Sequence, residues 1–153
     1  MKKHVIRGVV LALAFSFLLM GCNRNEKTGA QNSVVEIKEK MFVGQVSDVY
    51  LNTQDYLGKT IKMEGLFKVG GYEEENYYFV IRYGPGSCCG ADLIGFEVAW
   101  NADGSQPYPE DDAWVEAVGV LKTFGEGEFQ SNPYIELASL TVLDTRGAEF
   151  VTQ

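Results

Sequence analysis

Histidine is almost absent from this sequence. The only one among 153 residues is His4, which lies in a segment that we expect to be removed from the mature chain. Because histidine is the side chain whose charge ordinarily changes between about pH 5 and 8, the mature chain has no imidazole for general-base catalysis. Ser-His-Asp and Cys-His catalysis are therefore excluded within this chain, as are histidine-rich zinc sites. We predict that the protein is not an enzyme.

Basic residues are also scarce. Lys and Arg number 13 against 21 Asp and Glu, which gives a formal net charge of −8. Removal of residues 1–21 takes away three basic side chains and no acidic one, which leaves 10 against 21 and a net charge of −11. Nucleic-acid binding draws most of its affinity from the neutralisation of phosphates, which an acidic surface opposes. We therefore expect no nucleic-acid partner.

The apolar stretch near the start of the chain is too short to span a bilayer. Val9–Met20 has 12 residues, whereas a membrane-spanning helix needs about 20. Lys2, Lys3 and Arg7 precede this stretch, and a positive segment followed by a short apolar one is typical of a signal peptide. We therefore predict a signal peptide over residues 1–21.

The end of that segment resembles a bacterial lipobox. In Leu19-Met20-Gly21-Cys22, a leucine stands three residues before the cysteine and a small residue stands directly before it. The cysteine of a lipobox receives a diacylglyceryl group, so we predict cleavage before Cys22, lipidation of Cys22 and attachment to a membrane through this lipid anchor. The expected location is the cell envelope, outside the cytoplasm. Met20 departs from the usual Ala or Ser, and ordinary cleavage with a free Cys22 thiol is the alternative.

The mature chain divides into a tether, one domain and a tail. Residues 22–33 carry the lipid and are otherwise polar, which is typical of a flexible tether. We assign the folded domain to residues 34–144 and a C-terminal tail to residues 145–153, in which Phe150 and Val151 are the candidates for docking on the domain.

The domain has the patterns of an all-β protein with one short helix. A stripe of apolar residues at helical spacing predicts a helix over 42–51, and Val34–Ile37 indicates a short first strand. Alternating or β-rich segments predict five long strands, at 61–69, 77–83, 93–100, 113–124 and 134–143. Gly65 and Gly119 lie inside two of these strands, where glycine permits a bend or a close approach of backbones. We therefore predict a small OB-like five-stranded barrel, with an open β-sandwich as the alternative.

One loop concentrates the residues that could carry chemistry. Residues 84–92 are rich in turn formers and contain Cys88, Cys89 and Asp92. Thiolates favour soft or borderline metal ions, so this set predicts a site for zinc or copper, in which Glu97, water or a partner supplies the missing ligand. The first alternative is a thiol redox pair, which would be labile because adjacent cysteines close only a small, strained ring. The second is that the cysteines fill a small pocket while Asp92 caps a turn.

Several segments resemble one bacterial family. Its members carry a Cys-Cys-Ala-Ala-Asp motif after a strand with arginine and an aromatic residue, and the corresponding stretches here are Phe79–Tyr83, Cys88–Asp92 and Gly95–Val98. The similarity covers about Ile37 to Leu143 and is to the YcgQ-like subunits of a two-component membrane permease complex.

The resemblance implies an OB-like domain that works beside a multi-pass permease. It makes Cys88, Cys89 and Asp92 the characteristic positions, with Arg82 nearby. This sequence has Gly90 where the family has its first alanine, and it has a lipobox where typical members have N-terminal transmembrane helices. We therefore expect an extracytoplasmic, lipid-anchored binding or accessory module that handles a thiophilic metal ion for a membrane permease. A redox-active lipoprotein and a structural envelope adaptor without a small-molecule site are the alternatives.

Overall fold

The computed structural model describes residues 33–72, 75–86, 90–101, 106–125 and 132–152. These residues form six strands, two short α-helices and a single 3-10 turn. In chain order the elements are β1 (Val34–Ile37), the 3-10 turn (Glu39–Met41), α1 (Phe42–Leu51), α2 (Thr53–Tyr56), β2 (Thr60–Tyr72), β3 (Glu75–Pro85), β4 (Ala91–Trp100), β5 (Trp114–Thr123) and β6 (Pro133–Val142). Within the described residues, no helix is long and apolar enough to cross a membrane.

The five long strands pair in a closed ring. Their order is β2-β3-β4-β6-β5, and β5 pairs again with β2. All of these pairs are antiparallel except β4 with β6, which is parallel. The prediction of an all-β, OB-like arrangement of five strands is thereby confirmed. The pairing of β4 with β6 covers only Glu97–Trp100 of β4, so among the described residues the earlier part of β4 pairs with β3 alone. The sheet has one further strand, because β1 adds to β2 in parallel outside the ring.

Two glycines let the ring bend, as the sequence predicts. A Cβ added at Gly65 would come within 2.5 Å of the carbonyl oxygen of Ile81 on β3. A Cβ at Gly119 would collide with the carbonyl oxygen of Glu136 on β6. The β5–β6 register also shifts between Val118 and Gly119, and such an irregularity bends a strand. Only glycine allows these backbones to approach so closely.

Helix α1 packs its apolar stripe into the barrel core. The predicted bounds, 42–51, are those of the structure. Phe42, Val46 and Val49 are all buried and belong to the cluster that fills the barrel, which follows from their spacing on one face of a helix. The helix contacts β1 and β4, so it brings its exposed face next to the outer surface of β4.

The C-terminal residues pack against the barrel. The Val151 N–H donates to the Tyr83 carbonyl at 2.8 Å, and the Tyr83 N–H donates to the Glu149 carbonyl at 2.8 Å. Val151 is only 4% exposed, whereas Phe150 is 52% exposed. Of the two residues that we expected as candidates for docking, Val151 therefore fills the core and Phe150 lies at the surface.

Two glycine-to-alanine substitutions should have opposite effects on stability. A Cβ at Gly44 in α1 would have no heavy atom within 4 Å, so Gly44→Ala should raise the free energy of unfolding by about 0.5–1 kcal/mol through helix propensity. Gly58 also has open space but a φ of 76°, so Gly58→Ala should lower that free energy by about 1–2 kcal/mol. Chemical denaturation measures both, and a shift of the two midpoints in the same direction would contradict the prediction.

Candidate functional site

The structure describes only one of the four predicted site residues. Cys22, Cys88 and Cys89 lie outside the described residues, and Asp92 lies within them. Asp92 belongs to β4, where it pairs with Gly84 of β3. The connection between these strands is therefore shorter than the predicted loop, since β3 continues to Pro85 and β4 begins at Ala91.

The Asp92 carboxylate lies at the end of the β3–β4 hairpin. The Gly86 N–H donates to the Gly90 carbonyl at 3.0 Å. A Cβ at Gly86 would approach the Gly90 oxygen to 2.7 Å and Asp92 Oδ1 to 3.2 Å, so the carboxylate is turned toward Gly86. Gly90 has a φ of 132°, which an L side chain rarely adopts. The exposed Asp92 carboxylate is thus available at the end of the hairpin as an oxygen ligand.

Glu97 cannot complete a site that includes Asp92. The two residues belong to one strand whose pairing with β3 is continuous. Five residues along a strand span about 16 Å, and residues an odd number apart point to opposite faces. The prediction that Glu97 supplies a missing metal ligand is therefore wrong, because it relied on nearness in sequence and ignored strand geometry. The described residues contain no group of three or more potential metal ligands, and both cysteines of the predicted site lie outside that part of the chain.

Glu97 instead lines a groove on the outer face of the barrel. The cavity measures about 240 Å³ and lies between α1, β2, β3, β4 and the start of β6. Its lining includes Tyr50, Lys68, Phe79, Leu93 and Glu97. Because this cavity is assembled from five elements, no local motif in the sequence could have identified it.

The groove keeps water away from two titratable groups. Burial raises the pKa of Glu97. Burial and then the nearby charge of Glu97 raise the pKa of Tyr50. The Tyr50 hydroxyl donates to the Gly95 carbonyl at 3.0 Å, and its ring stacks on that of Phe96 with centroids 5.2 Å apart. Helix α1 and strand β4 therefore hold the tyrosine in a fixed position beside the carboxylate.

Arg82 is the one buried charged residue among those described. Its Nε donates to the Glu64 carbonyl at 2.9 Å. Its Nη1 donates to Glu39 Oε2 at 2.9 Å and to the Ala148 carbonyl at 3.0 Å. The Ala148 N–H donates to the same Glu39 oxygen. Arg82 thus joins β2, the 3-10 turn and the C-terminal segment.

Two aromatic rings enclose the Arg82 guanidinium. The ring of Trp114 is 4.8 Å from its central carbon, and the ring of Phe42 is 5.0 Å away. The Ala148 N–H and, after it, the guanidinium lower the pKa of Glu39. The guanidinium makes three hydrogen bonds within the fold and is in contact with two aromatic rings, so Arg82 holds the fold together. The resemblance placed it near the characteristic motif, and its partners, distant in sequence, could not be predicted.

A comparison with protein-family models gives one match. The model described as the DUF1980 C-terminal domain matches residues 21–151, which includes the whole barrel, the segment with both cysteines and the docked Val151. This description names no activity, ligand or partner. No curated protein matches the chain.

Proposed function

The chain belongs to the DUF1980 C-terminal domain family, and from that premise we propose that it is a lipid-anchored accessory module of a membrane permease. The module works outside the cytoplasm, is not an enzyme and handles a thiophilic ion, zinc or copper(I), at the end of the β3–β4 hairpin. Cys88, Cys89 and Asp92 bind the ion, and Cys22 carries the lipid. The barrel presents the site on a rigid scaffold.

The observation that supports this site is the position of the Asp92 carboxylate. The carboxylate is exposed, and its Oδ1 is turned toward Gly86 at the end of the hairpin. Cys88 and Cys89 come shortly after Gly86 in the sequence. Two thiolates and one carboxylate favour zinc or copper(I) over hard cations, which prefer all-oxygen sites. Three protein ligands leave a position that water or a partner can fill, as in zinc sites that exchange a ligand. An ion held in this way could be passed to a permease.

The metal content of the full chain tests this proposal. We expect about one zinc or copper ion per chain after anaerobic purification in detergent without chelator, and loss of that ion in the Cys88→Ser/Cys89→Ser variant. Asp92→Asn should weaken binding by at least about 10-fold, because loss of a mere outer-shell partner of a metal ligand already costs roughly that much. The exposed Asp144 provides the control, since Asp144→Asn removes an equal charge elsewhere and should leave binding unchanged.

Three outcomes would overturn the ion-handling role. Metal that remains in the double serine variant would place the ion elsewhere. A chain without metal whose thiols exchange readily, and whose exchange tolerates Asp92→Asn, would indicate a redox pair. A chain without metal and with unreactive thiols would indicate an envelope adaptor.

A further inference from the structure

Glu97 carries a charge that nothing in the described part of the chain neutralises. It lies on the outer face of β4, in register with Phe79 of β3 and Tyr134 of β6, so its two neighbours across the sheet are aromatic. Among the described residues no hydrogen bond or ion pair to its carboxylate is found. A partly buried carboxylate without a partner is unfavourable, and a bound cation would remove that cost.

The one ammonium group that lines the groove is bound to other residues. Lys68 Nζ is 2.8 Å from Asp111 Oδ2 and 3.0 Å from Asp112 Oδ1. Asp111 Oδ1 also accepts from the Val69 N–H at 2.9 Å, which fixes this carboxylate beside Lys68. Two carboxylates hold the lysine so firmly that its pKa lies well above the ordinary value. The Lys68 ammonium group is therefore paired with two carboxylates in the turn before β5, and no described side chain supplies a counter-ion to Glu97.

The groove has the shape and lining for a small, partly apolar group. Its volume of about 240 Å³ is below the range of about 300–1,000 Å³ that is typical of cavities for drug-sized ligands. Tyr50 and Phe79 provide aromatic surface, and Leu93, which is 63% exposed, provides aliphatic surface at the opening. A second apolar depression shares Tyr50, Leu93 and Gly95 with the groove, so the apolar surface continues beyond it.

We propose that this groove binds an alkylammonium group, with the ammonium on Glu97 and the alkyl stem against Tyr50, Phe79 and Leu93. A carboxylate supplies the countercharge, and the faces of the two aromatic rings attract an organic cation. An inorganic cation fits less well, because calcium and magnesium require about six oxygen ligands. An anion or a nucleic acid is opposed by Glu97 and by the net charge of the mature chain. A free amine and a lysine side chain of a partner protein both offer this chemistry.

Titration of the full chain in nonionic detergent with n-pentylamine, followed through backbone amide NMR signals, tests the proposal. We expect saturable shifts centred on Gly95 and Glu97 and at least fivefold weaker binding of n-pentanol, which has the same stem without the charge. Glu97→Gln should weaken amine binding by about tenfold, the size of effect that loss of one charge-assisted hydrogen bond produces. Glu110→Gln, which removes an equal exposed charge elsewhere, should leave binding unchanged.

The remaining comparisons identify the source of the ammonium and separate this site from the metal site. Tighter binding of a capped lysine tripeptide than of n-pentylamine would indicate a protein side chain, and the reverse order would indicate a free amine. The Cys88→Ser/Cys89→Ser variant should bind both probes as the wild type does, since none of the described residues that line the groove is a cysteine. Equal binding of amine and alcohol, shifts centred elsewhere, or full binding by Glu97→Gln would overturn the proposal.

Discussion

Arg82→Met is expected to lower the free energy of unfolding by about 3 kcal/mol, the lower end of the range for breaking a buried ion pair. The substitution removes the donors for two carbonyl oxygens, on Glu64 and Ala148, and for the Glu39 carboxylate. It also leaves a space between two aromatic rings, which a methionine fills only in part. The cost stays at the lower end because the Glu39 side chain is 49% exposed, so its carboxylate can turn to water.

Thermal unfolding measures this effect, and a drop in Tm of roughly 10–15 °C is expected for a domain of this size. Arg146→Met is the matched control. Arg146 also pairs with a glutamate, Glu149, but both side chains are about half exposed, so its loss should cost about 1 kcal/mol or less. Arg82→Lys keeps the charge but not the planar fork of donors, and should fall between the two. If Arg82→Met were no more harmful than Arg146→Met, the guanidinium would not hold the fold together as its contacts indicate.

The elements that sequence predicted best are those whose pattern is local. Helix α1 was predicted to the residue because Phe42, Val46 and Val49 repeat at helical spacing, and all three are buried. Strand ends were predicted less well. The predicted strand 61–69 ended before Gly70 and Gly71, yet β2 continues through them because β3 provides cross-strand partners, Tyr77 and Asn76. Pairing with a neighbouring strand, which sequence does not display, decides where a strand ends.

The candidate sites depend even more on contacts that the sequence does not display. Asp92 was predicted in one loop with the cysteines, whereas the structure places it within β4 and the cysteines lie outside the described residues. Glu97 was grouped with the same cysteines from sequence distance alone, whereas the strand directs it to the opposite face. Arg82 joins residues 39 and 148, and the groove joins α1 to four strands. Contacts between residues so distant in the chain depend on the closed ring of strands, which no single segment specifies.

Cys22→Ser is expected to abolish attachment of lipid to the chain. If Cys22 carries a diacylglyceryl group, two acyl chains at about 0.8 kcal/mol per buried methylene give stable anchoring, whereas one chain binds a membrane only marginally. The sequence has three cysteines, and only Cys22 ends a segment that resembles a lipobox. Metabolic labelling with a fatty acid should therefore mark the wild-type chain and fall to background in Cys22→Ser.

Cys88→Ser is the matched control, because it removes a cysteine from the same chain and should leave the label unchanged. Inhibition of the lipoprotein signal peptidase should in turn cause a lipidated precursor that retains residues 1–21 to accumulate, which mass spectrometry would identify. A wild-type chain that begins at Cys22 with an unmodified thiol would instead establish ordinary cleavage. In that case the chain would lack the proposed lipid anchor, and the proposed association with a permease would have to depend on protein contacts.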